Sequence, residues 1–202
     1  MAVRVLGIDP GLTRCGVGVV DVEPNRTARL VDVTVIRSSP DEPIEKRLLT
    51  VATGLIELLD RHQPHAVAIE RVFAQHNVST VMGVAQISGV ALFLSAQRGL
   101  AVGMHTPSEV KASITGYGSA DKAQVGAMVT RILKLSELPK PADAADALAI
   151  AICHAWRTGV SGGTLPNAAG APASGLTPAQ KAWRAAEAGT RMSAAPRGLK
   201  AP

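Results

Sequence analysis

The run Ala66-Val67-Ala68-Ile69 is apolar at every position, so neither of its faces can be offered to water. Strand side chains alternate between two faces, and a short run apolar on both is a central strand covered from both sides. That requirement points to a layered α/β domain. Val3 to Asp9 reads as a second buried strand, running into the turn Pro10-Gly11-Leu12-Thr13. Gly16 to Val22 and Ala28 to Ile36 read as two more, joined by the hairpin turn Glu23-Pro24-Asn25-Arg26.

From there helices and strands alternate. Ile44, Leu48, Val51, Leu55, Ile56 and Leu59 recur at helical spacing over Ile44 to His62. After the strand Ala66 to Glu70, a long helix is expected over Thr80 to Arg98, then a fifth strand over Leu100 to His105. Pro107 opens a short helix at a position where proline is tolerated. Ser119 is the expected cap of a helix over Ala120 to Leu135, and a last helix runs from about Ala142 to Thr158. The expected fold is therefore α/β, a mixed five-stranded sheet with helices on both faces, over residues 1–158. From Gly159 to Pro202 the chain turns to Gly, Ala, Pro, Ser and Thr. Such a segment buries too little apolar surface to offset its ordering entropy, so a disordered basic tail is expected, with a transient helix over Lys181 to Ala188.

Four acids stand out against this background. Asp9 ends the first strand and Glu70 the fourth, while Asp143 and Asp146 lie three apart, on one face of the last helix's first turn. Each has an ordinary explanation by itself: turn chemistry for Asp9, a surface pair with Arg71 for Glu70, a helix cap for Asp143. Asp146 is harder to dismiss, lying in Ala144-Ala145-Asp146-Ala147-Leu148 without a basic neighbour in sequence. Together, four carboxylates converging at buried strand ends would repel one another, and a divalent cation is their natural partner. With oxygen ligands alone and no Cys/His set for zinc, Mg²⁺ is expected, Mn²⁺ substituting, as two ions in a phosphoryl-transfer site.

Charge agrees without deciding. The formal net charge is +5, which favours a polyanionic partner. From Thr158 onward, five basic residues face the single acid Glu187, so the remainder carries only about +1 and any basic surface on the folded part is local. Cys15 and Cys153 lie in apolar surroundings and read as small core residues of a reducing compartment. With neither a signal sequence nor a convincing span, the expected location is cytoplasmic.

Gly7-Ile8-Asp9-Pro10-Gly11, Ala68-Ile69-Glu70 with Phe73, and Ala142-Asp143-Ala144-Ala145-Asp146-Ala147-Leu148-Ala149-Ile150-Ala151 together resemble the RuvC family, bacterial Holliday-junction resolvases with an RNase H-like fold. The resemblance covers roughly residues 3–157 and includes Ser-Glu-Val-Lys and Gly-Ser-Ala-Asp-Lys segments in between. It implies that Asp9, Glu70, Asp143 and Asp146 are the catalytic, metal-binding acids. It further implies a homodimer that nicks four-way DNA junctions symmetrically, leaving 5′-phosphate and 3′-hydroxyl ends, and that works with a branch-migration helicase. Thr80 to Arg98 is the expected interface helix, its Gly83, Ala85, Gly89 and Ala91 permitting close approach.

The same resemblance assigns DNA contacts. Phe73 would stack on unpaired bases, Asn77 would extend that loop toward the DNA together with Gln75 and His76, and Lys111 and Lys122 would approach phosphate near the cut. A loop-anchoring phenylalanine and solvated lysines are the plainer alternatives, and His154 reads as structural. Three rivals share features of this chain. A sugar-kinase or actin-type ATPase resembles it in the Asp9-Pro-Gly-Leu-Thr turn but needs a second equivalent domain. A pre-ribosomal RNA nuclease shares the fold and the early turn. A catalytically dead DNA-binding module would not need all four acids.

Overall fold

Alternation of apolar side chains builds the sheet from its centre outward. In β1 (Val3–Asp9) Val5 joins one buried cluster and Leu6 and Ile8 the other, and in β4 (Ala66–Glu70) Ala68 and the Val67/Ile69 pair divide likewise. β2 (Arg14–Val22) and β3 (Ala28–Arg37) add antiparallel neighbours on one side, and β5 (Ala101–His105) a parallel one on the other. The order is β3-β2-β1-β4-β5, the mixed five-stranded RNase H-like sheet that the sequence implied. The computed structural model describes residues 1–71 and 78–158. Phe73, Asn77 and the expected tail, including the possible helix over residues 181–188, lie outside the described residues.

Helices cover both faces. α1 (Ile44–His62) and α2 (Val78–Gln97) bury Val51, Leu55, Ile87 and Leu94 against one face. α3 (Pro107–Thr115), α4 (Lys122–Ile132) and α5 (Ala142–Thr158) close the other, α5 lying directly on β1 and β2. Glycine makes that approach possible. A Cβ at Gly7 would collide with the Ala147 carbonyl and stand 2.7 Å from the Ala151 nitrogen, and one at Gly16 would collide with the Asp143 carbonyl. No described helix is long and apolar enough to cross a membrane.

Some boundaries differ from expectation. β2 starts at Arg14 rather than Gly16, because its ladder with β3 runs on to the pair Arg14–Arg37. Asp121, not Ser119, caps α4: its carboxylate accepts from the Gln124 N–H at 2.8 Å while the Gln124 side chain accepts from the Asp121 N–H at 3.0 Å. This reciprocal pair satisfies two donors that a lone serine two residues earlier could not reach. α2 begins at Val78, and its small residues divide between two surfaces. Gly83 and Ala91 are buried, Gly83 against Leu12, whereas Ala85 and Gly89 face outward beside exposed Met82, Leu92 and Phe93. Only half of the expected small-residue face is therefore free to meet a partner.

Candidate active site

Strand register brings the first two acids together. Ile8 pairs with Ile69 in the parallel β1–β4 ladder, so the next residue of each strand, Asp9 and Glu70, leaves the sheet at one edge. The other two arrive by packing. Asp9 pairs with Gly16 across β1–β2, and the missing Cβ at Gly16 lets the α5 backbone at Asp143 settle against that point. The next helical turn presents Asp146 to a cavity of about 290 Å³ that also contains Asp9, Glu70, Lys111 and Lys122. Asp143 lines an adjoining cavity of about 580 Å³, and Asp9 belongs to both.

Electrostatics follow from this crowding. The Asp9 carboxyl is pushed up to about 7, first by burial, then by Glu70, Asp146 and Asp143, with Lys122 pulling the other way. Glu70 is also raised, by burial and then by Asp146, against the opposing charges of Lys122 and Lys111. Two ion pairs answer part of this charge. Lys122 Nζ donates to Asp146 Oδ2 at 3.1 Å, and Arg14 Nε to Asp143 Oδ2 at 3.0 Å. Their basic side chains are 77% and 55% exposed, where such pairs are worth about 0–1 kcal/mol. They are too weak to hold these aspartates against a dication.

No three ligand-type side chains among the described residues form a closed metal cage. The Arg14 and Lys122 pairs each engage one of the α5 aspartates. The donor set nevertheless suits a hard cation: four carboxylates, no sulfur or imidazole, and an Asp9 that burial and then the other three acids push up to about 7. A divalent ion among them would relieve the repulsion that raises Asp9.

Of the residues expected at the site, the structure brings together Asp9, Glu70, Asp146, Lys111 and Lys122 around one cavity and Asp143 around the next. Among the described residues Glu70 makes no ion pair with Arg71, and the Arg71 backbone N–H donates to the His105 carbonyl at 2.7 Å. Arg14 was missed, since nothing in the sequence links the start of β2 to Asp143. His154 is buried and lines neither cavity, its Nδ1 2.9 Å from His105 Nε2. Burial, then His105, pushes its imidazole down to about 4.

Known proteins are similar to this chain. A protein of Leifsonia xyli subsp. xyli, a crossover junction endodeoxyribonuclease RuvC, is 67% identical over 98% of this chain and 99% of its own length. The corresponding protein of Streptomyces griseus is 63% identical over 76% of each. Among solved structures, T. thermophilus RuvC in complex with Holliday junction substrate superposes with a TM-score of 0.73 at 39% identity, over 77% of this chain and 94% of that one. The family model described as crossover junction endodeoxyribonuclease RuvC matches residues 5–154, which take in part or all of every strand and all four acids. With sheet order, helix packing and relatives in agreement along that length, this chain belongs to the RuvC family of crossover junction endodeoxyribonucleases.

Proposed function

We propose that this protein resolves four-way Holliday junctions in recombination and repair, cutting two strands of like polarity to leave 5′-phosphate and 3′-hydroxyl ends. The observation that carries this reading is the Asp9 carboxyl, raised to about 7 among acids supplied by β4 and α5. A fold does not gather mutually repelling carboxylates at a buried strand end for stability. Asp9, Glu70, Asp143 and Asp146 would hold Mg²⁺, with Mn²⁺ as substitute, in a two-ion site that when bound supplies a more acidic attacking water and stabilisation of the leaving 3′ oxygen.

The chain's own side chains do the rest. Lys111 and Lys122, on the wall of the Asp9–Glu70 cavity, neutralise the phosphate being cut. Val110, Val125 and Ile150 give that cavity an apolar wall, which strengthens every charge interaction inside it. Phe73 stacks on bases unpaired at the crossover and Asn77 reaches the adjoining strand. A two-fold junction needs two equivalent sites, most simply from a symmetric homodimer. The exposed Met82, Leu92 and Phe93 of α2 are its interface. A branch-migration helicase delivers the substrate, and the work is done in the cytoplasm.

The test is a cleavage assay with a labelled mobile four-way junction, linear duplex and structured RNA, each with Mg²⁺ or EDTA and with ATP turnover followed alongside. Symmetric nicking of the junction alone, dependent on Mg²⁺ and lost in Asp9→Asn, is the expected result. RNA cleavage or ATP hydrolysis would replace this reading with one of its rivals.

A further inference from the structure

Two cavities meet at Asp9, and Lys111 and Lys122 line only the smaller of them. The larger, about 580 Å³, opens on the Pro10 side, between the β1–β2 turn, the start of α1 and Gly83 of α2. Its walls carry Thr13, Arg14 and Arg47 as well as Asp9 and Asp143. A DNA strand with one phosphodiester at the acids has to continue past them in both directions. Lys111 and Lys122 line the smaller cavity with Asp9, Glu70 and Asp146, and the larger cavity adjoins it at Asp9.

Arg47 is prepared for an anion in a way other arginines here are not. Its Nε donates to Ser38 Oγ at 3.1 Å and its Nη2 to Thr13 Oγ1 at 2.7 Å. Ser38 is itself fixed, its hydroxyl donating to the Leu12 carbonyl at 2.6 Å and its N–H to the Thr13 carbonyl at 3.2 Å. The guanidinium is thus half-buried and locked in place by neutral oxygens. Among the described residues it has no carboxylate partner, whereas Arg4, Arg14, Arg98 and Arg157 each have one. Neutral hydroxyls orient the fork without cancelling its charge, and the remaining N–H donors are left for a planar or tetrahedral oxyanion.

We infer that this cavity is a second phosphodiester subsite, in which Arg47, presented by Thr13 and Ser38, grips a backbone phosphate of the cut strand beyond the scissile one. The inference rests on the junction-nuclease reading and adds to it the path of the strand. Arg14, on the same wall, is tied to Asp143 through Nε and plays the lesser part.

The test measures binding of the full-length protein to a labelled four-way junction by anisotropy, in EDTA so that nothing is cut, between about 50 and 200 mM salt. Arg47→Gln should weaken binding about tenfold, the effect of losing one charge-assisted contact. It should also flatten the dependence of log K on log salt by about 0.9, the value for one phosphate. Arg47→Lys, which keeps the charge, should recover most of that slope. Unchanged affinity and slope in Arg47→Gln overturn the subsite. So does weakened binding with the wild-type slope, equal in Arg47→Lys and accompanied by a lower Tm, because Arg47 would then only brace the turn. Wild-type protein that shows no preference for the junction over linear duplex and structured RNA would instead sink the nuclease reading, and the subsite with it.

Discussion

Replacing Asp9 with asparagine should make the metal-free protein more stable while abolishing its activity. In the folded state the Asp9 carboxyl titrates at about 7, against an ordinary value of 3.8. A carboxyl whose pKa rises on folding binds its proton more tightly in the native state, so stability falls as pH increases between those values. The full difference corresponds to about 4 kcal/mol, reached above pH 7. The cleft is open to water, which screens part of this, so about 2–4 kcal/mol is expected at pH 8. At about 2–4 °C per kcal/mol, Asp9→Asn should raise Tm by roughly 5–15 °C in EDTA at pH 8, and by almost nothing at pH 4. The wild-type profile alone would hide this. His154, lowered to about 4, binds its proton less tightly when folded, so its contribution is lost as pH falls from 6.5 towards 4, the opposite slope over the same range. Thermal denaturation of both proteins across pH 4–8 separates the two, since their difference reports Asp9, while the asparagine variant keeps the slopes of His154 and His105 against that of Glu70. Mg²⁺ at pH 8 should raise the wild-type Tm and leave the variant's almost unchanged. A variant no more stable than wild type at pH 8 would refute the argument that burial and the neighbouring acids together disfavour a charged Asp9.

Gly16→Ala should lower activity sharply and cost about 1–3 kcal/mol in denaturant unfolding, because the new Cβ meets the Asp143 backbone and pushes α5 off the sheet. Unchanged cleavage would mean that Asp143 does not need its present position. Phe93→Asp, at a residue 65% exposed on α2, should convert a dimer to monomer in light scattering with little change in Tm. A persisting dimer would place the interface elsewhere. Phe73→Ala should impair junction cutting far more than dimerisation, and equal loss of both would make the ring a packing residue.

The fold was legible wherever local pattern and tertiary role coincide. The apolar runs at Val3–Ile8 and Ala66–Ile69 had one reading, and the acids closing them were conspicuous because a buried strand end is a costly place for charge. The capping of α4 was also readable, since Asp121 and Gln124 stand at capping-box spacing. Ser119 competes for the same role because serine is a frequent cap and directly follows the Gly116-Tyr117-Gly118 loop. What could not be read depends on contacts between distant segments. Gly83 and Ala91 differ from Ala85 and Gly89 only in which way α2 turns toward the sheet, and periodicity is a poor guide in a helix that is apolar nearly all round. The Arg14–Asp143 and Lys122–Asp146 pairs join residues far apart in sequence. So does the seat of Arg47 between Thr13 and Ser38, which local spacing cannot reveal.

Crystals grown with Mn²⁺ and measured at its absorption edge would locate any bound ion directly. Anomalous peaks about 2.1 Å from carboxylate oxygens of Asp9, Glu70, Asp143 and Asp146, with the Arg14 and Lys122 pairs opened, are the expected result. Strong Mn²⁺ sites elsewhere, with both pairs intact and no density between the four acids, would contradict a metal-dependent nuclease centre at this edge of the sheet.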